Sequence, residues 1–197
     1  MRSTACSAAA EAVVGLHRGS EIERRAEGVL EGVPPWIWDG ETLPVPVEDV
    51  ADSCFGLLVR EVEDLSAAPG APGLRAGQSF SGLLLPGRGE IWVNASEARD
   101  WPPRRRFTIG HELGHWCMHR EDAEGIYCRN AVVSMPDPGR PGGPPAREEE
   151  ANLFAAALLM PARLVQRQYR RERDFDKLCE AFEVSGAAMD RRLRAVI

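Results

Sequence analysis

The sequence contains a single lysine, Lys177, no CxxC pair, and no apolar run approaching the length of a membrane span. Each absence excludes something. The longest apolar stretches, such as FAAALLM, fall far short of the roughly 20 residues a spanning helix needs. The five cysteines, Cys6, Cys54, Cys117, Cys128 and Cys179, are odd in number and widely spaced. That pattern argues against a disulfide-framed secreted scaffold and suits the reducing cytoplasm. Positive charge is in deficit too. With a net charge of -6, the surface as a whole is not built to attract nucleic acid. Glu11 interrupts the alanine-rich N-terminus, so residues 1–20 make a poor secretory signal and are expected to be poorly ordered.

What remains has ordinary globular character: 44% hydrophobic and 27% charged residues over 197 positions, enough for one core with a small appendage. Ile22, Ala26, Val29, Leu30 and Val33 recur at helical spacing and predict a helix from Glu21 that Pro34-Pro35 ends. PPWIWDGETLP reads as a loop anchored by two tryptophans. A short helix is expected over Val47 to Cys54, a break at Gly56 and a strand over Leu57 to Val62. The stretch FSGLLLPGRGEIWVNAS predicts strands over Ser81 to Leu85 and Glu90 to Asn94 around a Pro-Gly-Arg-Gly turn. A helix from Pro103 to His119 follows, then a Pro/Gly-rich loop over 134–147, then the apolar helix REEEANLFAAALLMP. Shorter helices close the chain over Ala162 to Arg173, Phe175 to Phe182 and Gly186 to Val196. Helix, strands, then helices is an α+β order. The expected division is 21–161 as the main unit and 162–197 as a helical extension packed on it.

The chemistry concentrates in RRRFTIGHELGHWCMH. His111 and His115 are four apart, so on a helix both imidazoles leave one face and can reach one Zn2+. Glu112 stands about 100° round the helix, beside the open coordination position, where it can take a proton from the attacking water. Gly110 and Gly114 each cost a helix interior about 1 kcal/mol relative to alanine. A helix that needs a close approach on that side would keep them. Cys117, on another face, reads as packing.

A zinc hydrolase needs a third protein ligand. His119 shares the face of His115 but lies a turn too far along, which leaves it contact with substrate or neighbouring ligands, or plain packing. Glu148, Glu149 and Glu150 open the next helix. Acids there also complement the helix dipole. Ala151, Phe154, Ala155 and Leu158 mark the buried face, which Glu148 extends, with Glu149 and Glu150 progressively further round. Asn152 is one turn after Glu148 and suited to orient a ligand.

RRRFTIGHELGHWCMH followed by EEEANLFAAALLMP resembles the ImmA/IrrE family of zinc-dependent metallopeptidases, and LPVPVEDVADSCFGLLV, GEIWVNAS and FEVSGAAMDRRL extend the likeness over roughly Glu21 to the C-terminus. The resemblance implies a zincin-like metallopeptidase domain with a small mixed sheet, an active-site helix and C-terminal helices. It implies one Zn2+, or another divalent ion, held by His111, His115 and Glu148, with Glu149 as the alternative third ligand and Glu112 as general base. The substrate it implies is a helix-turn-helix repressor, cleaved to release genes of a mobile element or a stress response. This length leaves no room for a full extra sensory domain, so any regulator is expected to act in trans. For the oxyanion, Tyr127, His119 and the arginines at 104–106 are candidates. The strand Ile91 to Asn94 is a candidate edge for an extended substrate, and the 134–147 loop, joining the metal-bearing helices, a candidate gate.

Two other functions compete. AFEVSGAAMDRRLRAV has the look of a helix-turn-helix, but interleaved acids argue against direct DNA binding. A catalytically quiet metalloprotease fold acting by protein interaction is the other, and the retained Glu112 and histidines argue against lost activity.

Overall fold

The computed structural model describes residues 19–68, 80–119 and 146–197, with 127–130 as backbone only. Expectations for residues 1–18, for the connection over 69–79 and for the Pro/Gly-rich stretch 134–145 lie outside the described residues.

Helix α1 spans 19–31 and buries Ile22, Ala26 and Leu30 before Pro34-Pro35. In the loop that follows, Trp38 is buried and its Nε1 donates to Thr42 O at 2.6 Å. Trp36 is 85% exposed, so one tryptophan anchors this loop and not two. The turn is closed by Asp39, whose carboxylate accepts from the Glu41 and Thr42 amides. Helix α2, Val47–Phe55, ends at Gly56, whose φ of 66° is the left-handed conformation that glycine adopts without strain. Strand β1 is Leu58–Val62.

Strands β2, Phe80–Leu85, and β3, Glu90–Asn94, pair antiparallel, and β3 pairs parallel with β1. A short strand β4, Tyr127–Asn130, adds to the other side of β2, giving a mixed sheet of order β1-β3-β2-β4. Both edges of β3 are therefore occupied. This overturns the expectation that Ile91 to Asn94 offers a docking edge to an extended substrate. Between Phe80 and Gly82 the β2–β4 register shifts by one residue, which places a bulge at Ser81. The bulge changes the phase of the strand. Phe80 joins Leu83 and Leu85 in a small cluster with Leu65, while Leu84 faces the main core with Ile91 and Val93.

Helix α3, Ala95–Asp100, was not expected from periodicity. Asn94 caps it by accepting the Glu97 amide at 3.1 Å. Helix α4, Pro102–His119, begins with Pro102-Pro103 where missing amides cost least, and buries every residue from Phe107 to His115. It packs against the sheet and against α5, Ala146–Leu159. Helices α6, Ala162–Arg171, α7, Phe175–Phe182, and α8, Gly186–Val196, add Leu164, Phe182 and Met189 to the core that holds Ile109, Leu113 and Phe154. In α8, Arg192 is buried. It donates to Met160 O at 2.7 Å and pairs with Glu23 of α1 at 2.7 Å. Arg194 pairs with Asp190. Two arginines behind the helix-turn-helix look are thus engaged within the molecule. No described helix is long and apolar enough to cross a membrane.

Candidate metal centre

Small residues bring the two chemistry-bearing helices together. Gly110 and Gly114 on α4 face Ala155 and Ala151 on α5. A Cβ on Gly114 would stand 3.2 Å from the Ala151 Cα and carbonyl oxygen, so the helix backbones nearly touch. The next residue along α4 from each glycine is a histidine, and α5 carries Glu148 and Asn152 one turn apart. Close approach therefore delivers these side chains to one point.

His111 Nε2 and His115 Nε2 lie 3.1 Å apart. Glu148 reaches both, Oε2 to His111 Nε2 and Oε1 to His115 Nε2, each at 3.2 Å. Donors around a tetrahedral ion at about 2.0–2.1 Å would be about 3.3 Å from one another, so these separations fit a single small cation. The three residues form a group that could hold a metal. Its electronics point the same way. Two buried imidazoles and a partly exposed carboxylate concentrate lone pairs that a cation would satisfy. On the far side of the ring, His111 Nδ1 is 3.0 Å from Asn152 Oδ1. An amide oxygen only accepts, so a ring proton sits on Nδ1, which leaves Nε2 as the nitrogen that would offer its lone pair to a bound ion. Burial pushes the Glu148 carboxyl upward. Hydrogen bonds and charge from His111 and His115 outweigh it and hold Glu148 well below the usual carboxylate range.

The other expected residues are distributed around this point. Glu112 is fully buried, and its Oε1 lies toward Gly82 of β2. Glu149 is exposed. Glu150 turns to His119, whose Nε2 lies 3.4 Å from its Oε2. His119 is buried, its ring 5.7 Å from that of His115, and burial followed by repulsion from His115 lowers its pKa. It stands behind the centre and is not one of the converging three. Tyr127 lies in β4, whose side chains are outside the described residues.

The arginines named for the oxyanion are engaged at the start of α4. Arg104 binds Glu97 and Ser81, Arg105 binds Glu48 and Glu61, and Arg106 donates to Val45 O and faces Glu183. They tie the helix to α2, α3 and the sheet, and even Arg106 is five residues from His111, about 7.5 Å along the axis. Sequence reasoning assigned no part to Gly82, which faces Thr108 and Glu112. The signal was a glycine inside an otherwise apolar strand, a mark of close backbone approach.

Residues 71–194 match the IrrE N-terminal-like domain, a peptidase family. A solved Mycobacterium tuberculosis transcriptional regulator shares the fold with a TM-score of 0.51 and 18% identity, over 90% of this chain and 46% of that one. The chain thus spans less than half the length of that regulator. A comparison with curated proteins gives no match. The family match runs through both helices that meet at His111, His115 and Glu148, and it covers well over half of the sequence: the chain belongs to the IrrE N-terminal-like domain family of peptidases.

Proposed function

We propose that the protein is a zinc-dependent endopeptidase acting in the cytoplasm on a helix-turn-helix repressor supplied in trans, whose cleavage releases genes of a stress response or a mobile element. One observation carries the reading: two buried imidazole Nε2 atoms and one partly exposed carboxylate, from two different helices, meet within 3.2 Å of one another, and the residue after His111 is the buried Glu112. In this reading His111, His115 and Glu148 hold one zinc. Bound there, the ion would lower the pKa of water and polarise the scissile carbonyl. Glu112 takes the proton of the attacking water and passes it to the leaving amine. Asn152 fixes the His111 tautomer. Residues 21–161 form the catalytic unit and 162–197 an extension packed on it, with Leu164, Phe182 and Met189 in the core that holds Ile109, Leu113 and Phe154.

The first test is metal content. The wild type should carry one zinc, Glu148→Gln should lose it and Glu149→Gln should keep it. A wild type empty of metal at micromolar free zinc would transfer the lead to a quiet regulator acting through protein contacts. The second test is incubation with a helix-turn-helix repressor encoded beside the gene, read by intact mass. A cut made by the wild type and not by Glu112→Gln supports the substrate class. An uncut repressor with zinc bound removes that substrate.

A further inference from the structure

Arg104, Thr108 and Glu112 recur every four residues and form one stripe along α4. The stripe meets β2 at its bulge. Arg104 Nη2 donates to Ser81 Oγ at 2.9 Å, while its Nε is held by Glu97 at 2.6 Å. One residue along the strand, a Cβ on Gly82 would stand 2.3 Å from Thr108 Cγ2, 3.0 Å from Glu112 Oε1 and 3.3 Å from Trp92 O. Ser81, Gly82, Thr108 and Glu112 are all buried. Among the described residues the glycines with positive φ are Gly40, Gly56 and Gly89, and Gly82 is not one of them. Its backbone conformation is open to any residue, so the space in front of it is what demands glycine. The bulge at Ser81 sets the phase that turns Gly82 toward the helix and Phe80 away from it.

We propose that the Ser81 bulge and the bare backbone of Gly82 form a positioning device for Glu112, setting how close its carboxylate stands to His111 and His115. This rests on the metallopeptidase reading above. Gly82 acts through Glu112 and does not touch the reacting atoms. A side chain at position 82 has two separable effects. It strikes Thr108 Cγ2, which is anchored close to the helix and cannot yield, and that costs folding. It also displaces Glu112 Oε1, the far end of a flexible side chain, and that costs function alone.

The two effects are separated by comparing wild type, Gly82→Ala, Thr108→Ser, the double variant Gly82→Ala/Thr108→Ser, and Glu112→Gln. Serine keeps the hydroxyl of Thr108 and removes the methyl in the way. Three quantities are read: melting temperature, zinc affinity by chelator competition, and calorimetric binding of acetohydroxamate to the zinc-loaded protein. Acetohydroxamate chelates the ion and offers its hydroxyl to a carboxylate beside it, so its affinity reports where Glu112 stands. Gly82→Ala should melt well below wild type, and Thr108→Ser should match wild type in zinc and acetohydroxamate binding. The double variant should recover much of the melting temperature and hold zinc within about 3-fold of wild type. Its acetohydroxamate affinity should still fall about 10-fold or more, the worth of one charge-assisted hydrogen bond, as in Glu112→Gln. Adding Glu112→Gln to the double variant should cost nothing further. Wild-type acetohydroxamate affinity in the double variant, or a loss that adds to that of Glu112→Gln, overturns the positioning role while leaving the proposed function standing. A wild type that binds no zinc overturns both.

Discussion

Helix α4 makes two close approaches, and they differ in tolerance. Toward α5 the small residues are spread over a seam, Gly110 and Gly114 against Ala151 and Ala155. There an added Cβ would meet its nearest neighbour at 3.4 Å for Gly110 and 3.2 Å for Gly114. Toward β2 the approach depends on Gly82 alone, where the same Cβ would meet Thr108 at 2.3 Å. Two helices in contact through small side chains can settle by a few tenths of an ångström. A strand paired on both sides, as β2 is with β3 and β4, cannot follow. The difference separates two jobs. The side that gathers His111, His115 and Glu148 can adjust by small shifts of the two helices, while the backbone that faces Glu112 is held by strand pairing on both sides.

The largest effect is expected from Glu112→Gln. With the two sides independent, metal content stays at the wild-type level while turnover of a cleaved substrate falls about 10²- to 10⁴-fold. Parallel loss of metal, measured on the same preparation, would mean that the sides are not separable. Asn152→Ala belongs to the other side. It leaves the His111 ring proton without its acceptor, and zinc affinity should drop about 10- to 100-fold by chelator competition, with turnover restored at saturating zinc. Turnover that stays low once zinc is saturating would place Asn152 in the chemistry. The smallest effects grade the seam itself. Gly114→Ala presses on the Ala151 backbone and should cost about 1–3 kcal/mol of stability together with some zinc affinity. Gly110→Ala meets an ordinary van der Waals neighbour and should be neutral or stabilising by up to about 1 kcal/mol, the helix-propensity gain. Thermal melts of the pair that came out equal would show that the seam is not graded as these distances imply.

Much of this was legible in the sequence, and what was not has identifiable causes. The i, i+4 histidines and the turn between β2 and β3 are local patterns, and so are the apolar faces of α7 and α8. Periodicity and capping sufficed to find them. The helix-weakening cost of Gly110 and Gly114 pointed to a close approach, which α5 makes. The buried face of α5, which Glu148 extends, already favoured Glu148 among the three consecutive glutamates, but how near it comes to the histidines depends on how α5 is rotated against α4. That rotation is set by Ala151 and Ala155 meeting the glycines and cannot be read from α5 alone. The occupied edges of β3 are likewise a property of its neighbours, so its own residues suggested a docking edge it does not have. Arg104 to Arg106 looked free because their acidic partners lie up to 77 residues away in sequence, counting from Arg106 to Glu183. Helix α3 is a different case. Asn94 and Glu97 carry a capping signal, and the strand pattern just before them drew the eye away from it.

The clasp between Arg192 and Glu23 joins residues 169 apart in sequence. The entropy of closing so long a loop must be spent before the contact returns anything, so the clasp is expected to form late on the way to the native state. It therefore bears more on how long the folded protein lasts than on how quickly it is reached. Loosening it would shorten the native lifetime and leave the folding rate almost unchanged.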